Sequence, residues 1–162
     1  MGDDPGLRVE LIAMADRDRR TGGPTDEWHG ARLWEILDDY ESWPGRRLVG
    51  DDGEHAAWVL AQQAVFDPGL QRRCLEMLEM AVACGDAPAA HYALLLDRVR
   101  MADGKEQLYG SQFVNTEDGR SVVPWPIEDP EHVDERRRRV GLPSLADHAH
   151  QMREQFQRRV AR

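Results

Sequence analysis

The stretch Ala87–Met101, APAAHYALLLDRVRM, is apolar nearly all the way round a helical wheel. A helix of that kind leaves no face for water, so it belongs at the centre of a helical assembly. Into it the chain places Asp97 and Arg98, which point about 100° apart. Charges buried there need partners. Two roles are open: an ion-pair network tying this helix to its neighbours, or a site in which Arg98 clamps an anionic or carbonyl-bearing ligand while Asp97 or Asp18 serves as acid or base. His91, in register with Leu95 and Arg98 by i, i+4, i+7, is placed to orient either one.

Towards the N-terminus the pattern stays helical. Leu7, Leu11, Met14 and Ala15 make one amphipathic stripe, which Asp18 continues, before the Thr21–Pro24 breaker TGGP. Leu33, Ile36, Leu37 and Tyr40 make a second, stopped at SWPG, Ser42–Gly45. A third helix is expected from about Glu54 to Phe66, with Gln62 and Gln63 side by side among apolar residues. A buried amide without partners costs on the order of 1–3 kcal/mol, so each glutamine needs a reason to be there. After the Asp67-Pro68-Gly69 break, Leu70, Cys74, Met77, Leu78 and Ala81 form the inward stripe of a fourth helix.

Towards the C-terminus the period changes. QLYGSQFV (Gln107–Val114) and SVVPWPI (Ser121–Ile127) are β-prone runs around NTEDGR, a turn composition, so a hairpin is expected with Pro124 and Pro126 confining its second strand to an edge. A short helix with Gly141 as its stop follows, and then Ser144 and Asp147 form an S-x-x-D cap for a last amphipathic helix. The expected fold is mainly α, with about six helices in a compact bundle and one β-hairpin. A single domain over residues 1–162 is expected, with 1–6 and 160–162 frayed.

Composition narrows the function classes. A net charge of −9 is the opposite of the basic footprint of a nucleic-acid binder and argues against a cationic membrane-surface role. No run reaches the roughly 18 apolar residues of a membrane span, and the acidic start MGDDPGLRVE does not resemble a signal peptide, so a cytoplasmic protein is expected. Cys74 and Cys84, ten residues apart in one helical segment, lie roughly 15 Å apart along an α-helix, too far for a disulfide.

The familiar signatures of dinucleotide, nucleotide, zinc-peptidase and hydrolase-elbow sites are missing. His148 and His150 are turned about 200° apart on a helix and cannot chelate one ion together. No metal and no cofactor are expected. Arg136–Arg139 invite a phosphate reading, but Asp134 and Glu135 stand four residues before Arg138 and Arg139, so a salt-bridged exposed face is the expectation. In the hairpin run, Gln107, Tyr109 and Ser111 alternate with Leu108 and Gln112, which makes Gln112 a second candidate for a buried amide.

The ordered set SWPGRRLVGDDGEHAAWVLAQQA (Ser42–Ala64), YALLLDRV (Tyr92–Val99), GKEQLYGSQF (Gly104–Phe113) and VDERRRRVGLPSL (Val133–Leu145) resembles the bacterial proteins grouped as domain of unknown function family 6624. Carried over by position, the polar set that the resemblance implies is Asp18, Gln62, Asp97, Arg98, Gln107, Tyr109, Gly110 and Gln112. The resemblance also implies departures: Gln63 where a histidine is usual, Val65 where an aspartate is usual, and Ser111 for threonine. Glutamine cannot take up a proton near neutral pH, so any acid–base or ligand role of that histidine would be absent here.

These residues give a working expectation. Asp97, Tyr109 and Asp18 are the candidate catalytic groups, and Arg98, Gln63, Gln112, Gln107 and His91 the candidate binding groups. Together they would form a metal-independent pocket acting on a small polar or anionic substrate by acid–base chemistry, as in a tailoring protein of bacterial specialised metabolism. The alternative is a non-catalytic accessory or immunity-type interaction module, as a homodimer or with a partner protein, using exposed tryptophans such as Trp28 or Trp125. A third reading, a metal-dependent hydrolase, would draw on His55 or His91 with nearby acids.

Overall fold

A computed structural model describes residues 2–162. It contains seven α-helices: α1 (Pro5–Thr21), α2 (Glu27–Tyr40), α3 (Arg46–Gln63), α4 (Pro68–Ala83), α5 (Ala89–Ala102), α6 (Val133–Arg139) and α7 (Leu145–Val160). Between α5 and α6 lie β1 (Phe113–Asn115), β2 (Val122–Pro124) and a 3-10 turn at Pro130–His132. The fold is mainly α with one hairpin, and the helix count is one above expectation. The chain forms two compact units, one up to Leu95 and one from Leu96 to Arg162. Helix α5 carries the backbone from the first into the second.

In the first unit α1 packs along α3, and the stripe positions read from the sequence are the buried ones: Leu11, Leu33, Ile36, Leu60, Leu70 and Leu78 are fully excluded from water. Aspartates start three of the helices. Asp4, Asp26 and Asp67 each accept the N–H three residues on, at 2.8 to 3.0 Å, which satisfies a helical donor that has no partner in its own first turn. Fraying expected over residues 1–6 falls partly on Met1, outside the described residues. From Asp4 onward the chain is pinned, because its N–H donates to the Leu48 carbonyl at 2.7 Å and its carboxylate accepts from Tyr40 Oη at 2.6 Å.

Helix α3 differs from expectation at both ends. It begins at Arg46 rather than near Glu54, and a kink lies at Gly50, whose φ of +73° is a conformation that glycine adopts without a Cβ penalty. It also stops at Gln63 rather than Phe66, so the paired glutamines sit in its last turn. All four carbonyls from Leu60 to Gln63, which have no partner within the helix, are claimed. Thr25 Oγ1 donates to Leu60 at 2.7 Å and Thr25 N–H to Gln63 at 2.9 Å. The buried Gln71 amide donates to Ala61 and Gln62 at 3.0 and 3.2 Å. Once these bonds are made, the helix has no need to continue.

The second unit is small and its buried set is unusually polar: Asp97, Gln107 and Arg137 are each at most 1 % exposed, alongside Val99, Val122, Val133 and Ala149. The antiparallel strands pair Phe113 with Pro124, Val114 with Val123 and Asn115 with Val122. Each strand has three residues, shorter than the β-prone runs, because residues 108–111 fold around Asp97; Gln107 and Gln112 on either side still bond the backbone of Trp125, Pro126 and Glu128. Ser144 caps α7 through the Asp147 N–H, as its S-x-x-D spacing predicts. The run Arg136–Arg139 is only partly the exposed face expected. Arg139 does pair with Glu135 at 2.6 Å, but Arg137 is buried, and Asp134 accepts the Leu145 N–H. Among the described residues no helix is long and apolar enough to cross a membrane.

Candidate functional site

The predicted site residues divide between the two units. In the second, Asp97 is the organising group of the loop that leads into the hairpin. Its Oδ1 accepts the N–H groups of Leu108 and Tyr109 at 2.8 and 3.0 Å. Its Oδ2 accepts Ser111 N–H and Ser111 Oγ at 3.0 and 2.8 Å. A carboxylate holding four of the protein's own donors has both oxygens taken up by them. Asp97 therefore acts as scaffold, and the expected role as acid or base is not supported.

Gln107 is likewise consumed. Its Nε2 donates to the carbonyls of Gln112 and Trp125 at 3.0 and 2.7 Å, and its Oε1 accepts the Gln112 N–H at 2.8 Å, so one side-chain amide takes the place of missing ladder bonds. The guanidinium of Arg137 donates to the Tyr109 and Pro143 carbonyls, and that of Arg136 to Leu108, Glu128 and Asp129. Gly110, at φ +66°, lies so close to Leu145 and Ile127 that a Cβ would come within 2.7 and 3.0 Å of them. Gln112 donates from Nε2 to Ser111 Oγ at 3.1 Å. The Tyr109 phenol is half-buried, and burial, then the Asp97 charge, raises its pKa, which makes proton loss harder. Burial lowers the pKa of the Arg98 guanidinium.

In the first unit the expected residues are distributed differently. Gln62 is buried while Gln63 is exposed on the last turn of α3, so Gln63 does not line an enclosed pocket within this unit. Asp18 is buried and its Oδ1 lies 2.7 Å from Nδ1 of His29. Its carboxyl is pushed above the ordinary aspartate range, chiefly by burial, with the His29 contact acting in the opposite direction. His91 sits in a constellation of its own. Glu54, 1 % exposed, holds His91 Nδ1 at 2.8 Å on Oε2 and accepts Trp43 Nε1 at 3.0 Å on Oε1. The His91 ring stacks on Trp58, with centroids 4.4 Å apart and planes 8° from parallel, and Trp58 Nε1 donates to the His91 carbonyl. Nε2 of His91 then lies 3.4 Å from Nδ1 of His55.

This geometry has chemical consequences. A carboxylate on Nδ1 keeps the proton there, leaving Nε2 as the acceptor of a neutral imidazole. With that tautomer His55 Nδ1 is the donor to His91 Nε2, which leaves Nε2 of the exposed His55 as its own acceptor nitrogen. Burial, then the charge of His91, lowers the His55 pKa below its ordinary value. His55 lines an open cleft of about 430 Å³ with Asp16, Arg19, Asp51 and Asp52. A larger cleft of about 620 Å³ lies between the two interhelical loops and is lined by Thr25, Asp26, Gly30, Ala64, Phe66 and Asp67 among others.

The sequence reading missed Glu54 and His29 as partners, although a signal for each exists. Glu54 shares a helical face with Ala57 and Ala61, and His29 extends the Leu33–Ile36–Leu37 stripe backwards, so each is a polar residue on a buried stripe, as Asp18 is.

No curated protein and no solved structure matches the chain. One family model does, over residues 21–161, a span that takes in α2 to α7 and both constellations around Asp97 and His91. The chain belongs to the family of unknown function (DUF6624).

Proposed function

We propose that this protein binds a small polar or anionic molecule at the cleft beside α1 and α3 and acts on it by acid–base chemistry, with His55 as the group that meets the substrate. The observation that carries the reading is the carboxylate–imidazole–imidazole chain Glu54, His91, His55, in which a buried acid orients one ring against a second ring that opens to the cleft. When His55 accepts a proton at Nε2, its Nδ1 proton can pass to His91, and the buried Glu54 stabilises the imidazolium that forms. Arg19, in the same cleft and 3.4 Å from Asp16, is the cation that would meet an anionic group in exchange for that exposed ion pair. A tailoring role in bacterial specialised metabolism is part of this proposal, and neighbouring biosynthetic genes would support it.

The test uses malonate and inorganic phosphate as probes, followed through the histidine ring resonances. Saturable shifts at His55 and His91 at millimolar concentration, weakened in Arg19→Gln, with those at His91 lost in His55→Gln, support the reading. Absence of saturable shifts overturns it. A second reading, a non-catalytic module that associates through an apolar surface, is favoured by Trp28 and Phe66, each 84 % exposed. Sedimentation that shows self-association in the wild type and its loss in Trp28→Ser would favour that alternative.

A further inference from the structure

Asp18, Asp26 and His29 bring one ligand-capable atom each to within 4.8 Å of one another. The three come from the end of α1, the N-cap of α2 and its first turn, so they are held by helices on both sides of one interhelical loop. His29 Nδ1 lies 2.7 Å from Asp18 Oδ1 and 3.6 Å from Asp26 Oδ2. Metal–ligand bonds of about 2.0–2.2 Å place neighbouring donors roughly 3.0–3.4 Å apart, which these separations bracket.

An imidazolium between two acids would have the same composition, and two observations go beyond it. Asp18 is 5 % exposed, yet its Oδ2 has no hydrogen-bond partner, and an unmet acceptor on a buried carboxylate is costly. Asp26, whose Oδ1 is spent on the His29 N–H, also lines the 620 Å³ cleft, so the cluster adjoins a space able to admit a further ligand.

We propose that Asp18, Asp26 and His29 form a binding site for one divalent transition-metal ion, with the ion's remaining coordination positions open to the cleft. Two carboxylates and one imidazole suit Mn²⁺ or Zn²⁺, whereas Ca²⁺ needs six to eight oxygen ligands, more than these side chains supply. The site shares no residue with Glu54, His91 and His55, so it stands or falls apart from the acid–base proposal.

Calorimetric titration of chelator-treated protein with Zn²⁺, Mn²⁺ and Ca²⁺ separately provides the test. One equivalent of Zn²⁺ or Mn²⁺ is expected to bind, with Ca²⁺ weaker than both. Asp26→Asn keeps a side-chain oxygen for the helix cap and removes the charge; it is expected to weaken binding roughly tenfold or more while the metal-free melting temperature stays near that of the wild type. His29→Gln should lose binding in the same way, and His55→Gln should bind as the wild type does. The proposal is overturned if the wild type shows no saturable one-to-one binding, if Asp26→Asn and His29→Gln both bind as tightly as wild type, or if Ca²⁺ binds best.

Discussion

Replacing Asp97 by alanine removes the acceptor around which residues 108–111 fold. Four bonds are lost, three from backbone N–H groups and one from the Ser111 hydroxyl, at 2.8 to 3.0 Å. A hydrogen bond to a charged group contributes about 1.5–3 kcal/mol, which gives a ceiling of about 6–12 kcal/mol for four. The four share one carboxylate and their donors are partly buried, so water re-entering the loop recovers part of the loss and the bonds do not add. A destabilisation of about 3–5 kcal/mol is the expected result, a large share of the 5–15 kcal/mol typical of a domain. Urea unfolding followed by circular dichroism measures it, and amide exchange at Leu108, Tyr109 and Ser111 reports the local effect. Asp97→Asn, which sets an NH₂ group against N–H donors, should fall between alanine and wild type. A loss below about 1 kcal/mol for Asp97→Ala, with exchange at those amides unchanged, would refute the scaffold role and return Asp97 to the catalytic candidates.

Thr25→Val leaves the Leu60 carbonyl without its buried donor and is expected to cost about 1–2 kcal/mol in urea unfolding; a neutral result would show that the end of α3 finds another partner. Gln63→His, on an exposed turn, should change stability by no more than about 0.5 kcal/mol, and a larger change would mean that the position is packed in a way its exposure does not show. Stability should also fall on mild acidification. His55 and His148 both have folded-state pKa values below 6.5, in each case chiefly through burial, so the unfolded chain takes up protons first as pH drops. The loss begins just above 6.5, grows as the pH falls through the folded-state values, and levels off below them. Melting temperature against pH checks this: the slope should flatten in His55→Gln/His148→Gln, and an unchanged slope would contradict it.

Apolar periodicity made the helices legible. Leu7, Leu11 and Met14, then Leu33, Ile36 and Leu37, then Leu70, Cys74 and Leu78, mark the faces that the structure buries, because side-chain spacing on a helix depends only on local geometry. The end of α3 was not legible in the same way. Nothing local stops a helix at Gln63; Thr25 and Gln71 do so from outside it, and their positions depend on tertiary packing. The hairpin shows the same limit. β-propensity marked both runs, but Asp97, a residue of α5, diverts residues 108–111 from pairing, while Gln107 and Gln112 still bond the backbone of the second run.

The candidate site was legible in part. Asp18 and His91 stood out as polar groups placed among apolar ones, and the structure gives each a specific partner, His29 and Glu54. The partners themselves lie 11 and 37 positions away along the chain, where no spacing rule connects them. Asp97 and Gln107 carried the same signal of a polar residue in an apolar setting, yet they bond the protein's own backbone, with the Ser111 hydroxyl as a side-chain partner of Asp97. Burial of a polar side chain identifies a place where bonding is organised, and only geometry separates scaffold from site.

The proposed chemistry depends on which nitrogen of His91 carries the proton. Long-range ¹H–¹⁵N spectra of the imidazole rings, recorded across the histidine titration range in the wild type and in Glu54→Gln, measure it directly. Neutral His91 is expected to be protonated on Nδ1, His55 to titrate below 6.5, and the Nδ1 preference to weaken in Glu54→Gln. A His91 protonated on Nε2 when neutral, or a His55 that titrates above 6.5, would contradict the relay and with it the proposed acid–base role.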